Sequence, residues 1–377
     1  MYNCGSMKEL LRSLVQAETT PAKGEISAAE IISAELGISG IDCQIDRWEG
    51  NRANLVAWVK SPGQRGGLLF VCHLDVVGAG DSEWKYGAFS GVEREGAIYG
   101  RGSADMKGGI TAVVTSIRQI IDSGVKLEGD VILLAAAGEE TDSCGAKRFV
   151  SRFGSKLPKL CGVIVPEPTD FAVVTAHRGM LWVKVKTVGK ATHGSTPELG
   201  VNAIASMRVL LGELENYKIR YEPHKLLGGC SMSINTIYGG EAVNIVPDKC
   251  EAGIDIRTLP GQNHQEIIED FKKIFAKLKQ KNPQFEACVS VVREVGALET
   301  DPKCNFVKDF CSAVGIDETK AVGFTTDGPH FSSLGVPVVV FGPGRSEVCH
   351  KPDEYIKIAN VEKAVEYYKN IILKFLS

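Results

Sequence analysis

The sequence contains no C-x-x-C pair, although eleven cysteines are scattered over its 377 residues. An odd count with no such pair argues against a disulfide framework and against a structural zinc knuckle. The thiols read instead as small, reduced, buried residues, and so as those of a cytoplasmic protein. An excess of either charge is also missing: 43 Lys and Arg face 46 Asp and Glu, a net charge of -3. That balance argues against a nucleic-acid partner and against an acidic disordered tail. Long apolar runs are absent, and 131–137 and 336–341 fall far short of the roughly 20 residues that span a bilayer, so no membrane is expected. The opening "MYNCGSMKELL" lacks the apolar core of a secretory signal, and Met7 offers an alternative start. Tandem repeats and low-complexity segments are absent too. What is present is an ordinary globular balance, 44% hydrophobic and 24% charged, with length enough for two domains.

Two regimes divide the chain. In the first, "MKELLRSLVQA", "ISAAEIISAEL" and "KGGITAVVTSIRQIIDSG" have helical spacing, the last ending at Gly124. "NLVAWVK", "GLLFVCH", "DVILLAAA" and "CGVIVPE" are short apolar runs bounded by Gly, Pro or charge, as buried strands are. Their alternation predicts an α/β fold, a mostly parallel sheet with helices on both faces. The second regime starts near Gly179 and reads β-α-β-β-α-β through "MLWVKVKTVG", "VNAIASMRVLLGELENY", "CSMSINTIYGG", "DKCEAGIDIRTLPG", "NHQEIIEDFKKIFAKLKQ" and "FEACVSVVREV". That order is the split ferredoxin-like unit. The first regime then resumes with a helix near 303–314, the strand "VPVVVFG" and a helix over about 360–375. The expected organisation is a catalytic domain of residues 1–178 and 294–377 with an inserted domain of residues 179–293.

Chemistry-bearing residues gather at strand ends. "LLFVCHLDVV" closes a strand with His73 and Asp75, which share a face at spacing i and i+2. "YGRGSADMKGGI" brackets Asp105 with glycines; its spacing fits neither a phosphate loop nor a dinucleotide fingerprint. "VILLAAAGEE" runs from a buried strand into two adjacent acids, Glu139 and Glu140. Buried acids are rarely left unpaired, so either these point to water or something positive sits beside them. "VIVPEPTD" ends a third strand at Glu167, and "VVVFGPGRSEVCHKPDEY" a fourth, with His350 in the loop beyond. In an open α/β sheet such loops converge on one edge, beyond the carboxyl ends of the strands.

"CHLDVV", "YGRGSADMKGG", "AGEET", "PEPT", "THGSTPELGVNAI" and "GPGRSEVCHKPDEY" resemble, in order, the motifs of the dinuclear zinc amidohydrolases. That family includes acetylornithine deacetylase, succinyl-diaminopimelate desuccinylase, aminoacylase and the glutamate carboxypeptidases. The resemblance implies one metal on His73, Asp105 and Glu167 and a second on Asp105, Glu140 and His350, with Asp105 bridging. It implies that Asp75 orients His73, that the Asp105–Met106 peptide is cis, and that the inserted domain forms a homodimer. Two divalent ions would balance the carboxylates of Asp105, Glu140 and Glu167 together with a bridging hydroxide. Glu139 is then the carboxylate left over for general base to the bridging water. Imidazole and carboxylate donors without thiolate suit zinc, with cobalt or manganese able to substitute.

The implied reaction is amide hydrolysis. The oxyanion donor would be His193, supplied by the partner subunit; read alone, His193 is a loop residue stabilising its own turn. Asn244 and Arg257 match positions that contact the substrate carboxylate in the family, and Arg178, Thr325 and Thr326 are further candidates. The resemblance places Glu167, rather than Asp, with the deacylases and carboxypeptidases of the family, and so favours an N-acyl-amino-acid deacylase of acetylornithine or succinyl-diaminopimelate type. The alternatives are a dipeptidase or carboxypeptidase of the same family, a homologue without catalysis, and a glycosidase built on the glutamate pair, in which the histidines would have no role.

Overall fold

The computed structural model describes residues 4–377; residues 1–3, the start of the segment read above as lacking a secretory core, lie outside it. The chain divides into two compact units, one of residues 1–176, 298–321 and 326–377, the other of residues 177–297 and 322–325. Relative to the sequence expectation the boundaries move by a few residues, and the segment 322–325, with Thr325, groups with the second unit.

The first unit is built on a nine-stranded sheet. Its centre is four parallel strands in the order Val131–Ala136, Gly67–His73, Leu160–Val165 and Val338–Val340. Two antiparallel strands, Cys43–Trp48 and Arg52–Val59, extend one side, and Val173–His177 pairs antiparallel on the other. Every residue of Gly67–His73 and Val131–Ala136 is buried, the burial that parallel strands covered on both faces require. One face carries Leu68, Phe70 and Cys72 into a core with the helices Gly108–Asp122, Asn305–Val314 and Ile358–Leu376, where Phe70 meets Tyr368 edge-on with ring centres 5.6 Å apart. The other face packs against Cys144–Phe153 and the short helix Gly328–Phe331, whose Phe149 and Phe331 rings lie 6.2 Å apart. Cys72 therefore sits in the core, turned from His73 by strand alternation.

The second unit is a four-stranded antiparallel sheet with two helices. In chain order it runs Gly179–Val188, helix Ala203–Asn216, Ser231–Gly239, Lys249–Thr258, helix His264–Lys281, Glu286–Val295. In the sheet these strands stand fourth, first, third, second. Burial alternates strictly along Lys249–Thr258, the period-two pattern of a sheet with one face packed. The inward residues Ile254 and Ile256 meet Met207, Leu210 and Phe271 of the helices. Among the described residues no helix is long and apolar enough to cross a membrane.

Candidate metal centre

Strand register positions the site. Parallel pairing sets His73 beside Ala136 and Val340 beside Val165, so the chain segments that follow these strands emerge at one edge of the sheet. Glycines let those segments close on one another. A Cβ on Gly109 would stand 2.3 Å from the Pro166 carbonyl oxygen, and one on Gly342 would stand 2.4 Å from the carbonyls of Pro166 and Glu167. Gly138, at φ 78°, turns the chain between the strand and Glu139, a conformation that suits glycine. The Asp105–Met106 peptide is cis.

His73 Nε2 lies 3.1 Å from Asp105 Oδ1 and 3.8 Å from Glu167 Oε1. His350 Nε2 lies 3.3 Å from Asp105 Oδ2 and 2.8 Å from Glu140 Oε1. These form two groups, His73–Asp105–Glu167 and Asp105–Glu140–His350, each with donor atoms within 4.8 Å of one another and with Asp105 common to both. Asp75 meets His73 through its backbone carbonyl, 2.9 Å from Nδ1, while its carboxylate stands 3.8 Å away. That carboxylate accepts instead from the backbone N–H groups of Glu139 and Glu140, at 3.0 Å each. The contact expected of the Asp75 side chain on His73 is thus made by its main chain, and the side chain holds the turn that carries the two glutamates.

The electrostatics are those of acids crowded out of water. Burial pushes Glu139 and Glu167 well above the ordinary carboxylate range; Asp327 and Glu140 push both in the same direction, and Asp105 pushes Glu167 further. Burial also acts against Asp105, yet its contacts with His350 and His73 hold it below the ordinary range. The same contacts with Asp105 and Glu140 lift His350 to about 10. Two imidazoles do not compensate so many carboxylates, and buried negative charge of this density calls for cations. Donor spacing fits them too, since tetrahedral donors on zinc stand roughly 3.3 Å apart for bonds of about 2.0–2.1 Å.

Of the remaining candidates, Thr326 is buried in the first unit and the others fall in the second. His193 pairs with Ile245 in a two-stranded ladder, and the Gly194 N–H bonds the Asn244 carbonyl at 2.8 Å, so the segments carrying His193 and Asn244 run side by side. His193 Nδ1 meets Ser195 Oγ at 2.7 Å. Arg257 is gripped by Asp255, Nε to Oδ1 at 2.9 Å and Nη2 to Oδ2 at 3.0 Å. Arg178 donates to the Leu227 carbonyl at 2.7 Å, and Thr325 is half-buried. Sequence reasoning passed over Asp327, which is 2% exposed and charge-coupled to Glu139 and Glu167. Its sequence signal is an acid next to Thr325 and Thr326, set between apolar segments.

Peptidase family M20/M25/M40 matches residues 69–374 of the chain. The chain belongs to this family. Among curated M20-type relatives, it is 31% identical to the acetylornithine deacetylase of Proteus mirabilis, over 97% of this chain and 96% of that one. It is 28% identical to the "Probable succinyl-diaminopimelate desuccinylase" of Staphylococcus epidermidis, over 97% of both chains. Among solved structures, the M20 family metallo-carboxypeptidase Sso-CP2 of Sulfolobus solfataricus has a similar fold, with TM-score 0.79 and 20% identity over 100% of this chain and 99% of that one. The protein is an M20 metallohydrolase, with a mixed α/β fold around a mostly parallel sheet and two groups of residues able to hold metal.

Proposed function

We propose that this hydrolase removes an acyl group from an N-acyl amino acid, with acetylornithine-type and succinyl-diaminopimelate-type compounds as the nearest substrates. The observation that carries the reading is a pair of three-residue groups sharing Asp105, with a further acid, Glu139, buried next to Glu140. His73, Asp105 and Glu167 would hold one divalent ion, and Asp105, Glu140 and His350 the other. Zinc is the ion we assign, because the donors are imidazole and carboxylate without thiolate. When bound, the pair lowers the pKa of a water and polarises the scissile carbonyl.

Glu139 then takes the proton of the attacking water and returns it to the leaving nitrogen. Its backbone N–H is tied to Asp75, so its carboxylate starts from a fixed turn. Glu140, tied to the other oxygen of Asp75, is left to the ligand role. His193 would donate to the developing oxyanion from a second copy of the chain. Its Nδ1 already faces Ser195, so Nε2 is the atom for that bond. Such a homodimer would form through the second unit. Arg257, pre-set by Asp255, suits the substrate carboxylate, and Asn244, Arg178 and Thr325 are further proposed substrate contacts. The ten cysteines from Cys43 to Cys349 are all free, which suits the reducing cytoplasm.

A panel of N-acetyl, N-succinyl and dipeptide substrates tests the reading. Turnover of N-acyl amino acids above dipeptides is expected. Dipeptide hydrolysis with no action on either acyl series would replace it with a peptidase.

A further inference from the structure

Two buried charges beside the centre have no role in the reading above. Arg101 and Glu354 are 2% and 0% exposed and meet at 2.6 Å. A buried ion pair is weak evidence for stability, because desolvation offsets most of its attraction. What its other atoms hold is therefore the informative part.

Glu354 Oε1 accepts from the backbone N–H groups of Ala104, at 3.0 Å, and Asp105, at 3.2 Å. Its main-chain carbonyl accepts from the Gly100 N–H at 2.8 Å. Arg101 Nη1 also donates to the Lys351 carbonyl at 3.4 Å, and Nε to the Gly78 carbonyl at 3.3 Å. The guanidinium lies over the Trp84 ring, 5.1 Å from its centre. One ion pair thus reaches the segment beyond His73 and Asp75, the backbone of Asp105 itself, and the residue after His350.

We propose that Glu354, locked by Arg101, is a positioning residue that aims the Asp105 carboxylate and so sets the spacing of the two metals. The proposal rests on the dinuclear reading above. Asp105 must present Oδ1 to one group and Oδ2 to the other, and a side chain with two torsions can do so only if its backbone is held. A carboxylate suits the task because its two oxygens serve two N–H donors and a guanidinium together. Partners of this kind orient metal ligands, and losing one typically costs ~10–100-fold in metal affinity.

The test is cobalt titration of the metal-stripped full chain, followed by absorption in the visible and by competition with a chromogenic chelator. Wild type, Glu354→Gln and Glu354→Ala are measured in parallel. Glu354→Ala is expected to bind cobalt ~10–100-fold more weakly and to shift the visible bands. Glu354→Gln, which keeps an acceptor but loses the charge, should fall between it and wild type. Should the alanine variant fail to fold, the shifted bands and weaker binding of the glutamine variant carry the test. Native bands and native affinity in the folded variants would reduce Glu354 to a structural staple and overturn the proposal. A wild-type chain that takes up no cobalt would instead bring down the dinuclear reading, and this proposal with it.

Discussion

Glu139 and Glu140 are neighbours with the same chemistry, and their environments separate them. Glu139 is 7% exposed, and burial is the main cause that holds its carboxyl above the usual range. Glu140 is also raised by burial, but its contact with His350 works against that shift. The acid with the direct imidazole contact suits ligation, and the other suits proton transfer. Glu139→Ala should keep two equivalents of metal, counted by elemental analysis, and lose ~10²–10⁴-fold in kcat. Unchanged turnover would remove it as the base. Asp75 shows what residue chemistry alone leaves open. An acid two residues from a histidine reads as its orienting partner, but Asp75 turns its carboxylate to two backbone N–H groups 64 and 65 residues further along.

Elements with a strong apolar period were legible. The buried strands at Gly67–His73 and Val131–Ala136 and the helices at Gly108–Asp122 and Asn305–Val314 lie where the sequence pattern set them. Two elements gave no such signal. In the strand Cys43–Trp48 the one fully buried residue is Asp46, held by Arg148 and Arg152, so its inward position carries charge rather than an apolar side chain. The helix Cys144–Phe153 buries only Gly145, Ala146 and Phe149, too few for a recognisable stripe. Close packing between elements is also hidden from pattern. Gly162, on the strand Leu160–Val165, leaves room for the Phe306 ring of the helix Asn305–Val314; a Cβ there would stand 2.3 Å from it. Gly162→Ala should destabilise the chain by about 1–3 kcal/mol through overpacking, read as a lower denaturant midpoint with unchanged slope. An unchanged midpoint would mean the ring moves aside without cost.

At the scale of the whole chain, stability should depend on pH through His177. It is fully buried, and burial is the main cause that takes its pKa from 6.5 down to about 4. The folded chain keeps this imidazole neutral while the unfolded chain protonates it. Its contribution is therefore fully present above pH 6.5 and declines as pH falls towards 4, by about 3 kcal/mol. The difference in unfolding free energy between wild type and His177→Gln, measured at several pH values, should change across that window. A difference that stays flat would show that His177 is accessible to protons in the folded state. The proposed donor from a second copy is also a whole-molecule matter. His193→Ala and Glu139→Ala, each inactive, should regain activity when mixed and allowed to exchange subunits. Random pairing restores up to about a quarter of the sites; no recovery despite exchange would mean that His193 acts within its own chain or not at all.

The sequence by itself determined the donor types, the strand ends that carry them and the two regimes of the chain, because side-chain chemistry and apolar period are local properties. It also carried the motif order that identifies the M20 family. Tertiary structure alone decided which donors meet. Asp105 joins His73 on one side and His350 on the other across 32 and 245 residues of chain, through parallel register and glycine contacts that no local pattern encodes. It likewise decided that Asp75 holds the glutamate turn and that Arg101 and Glu354 grip the backbone of Asp105, since a hydrogen-bond partner is chosen by packing between segments distant along the chain.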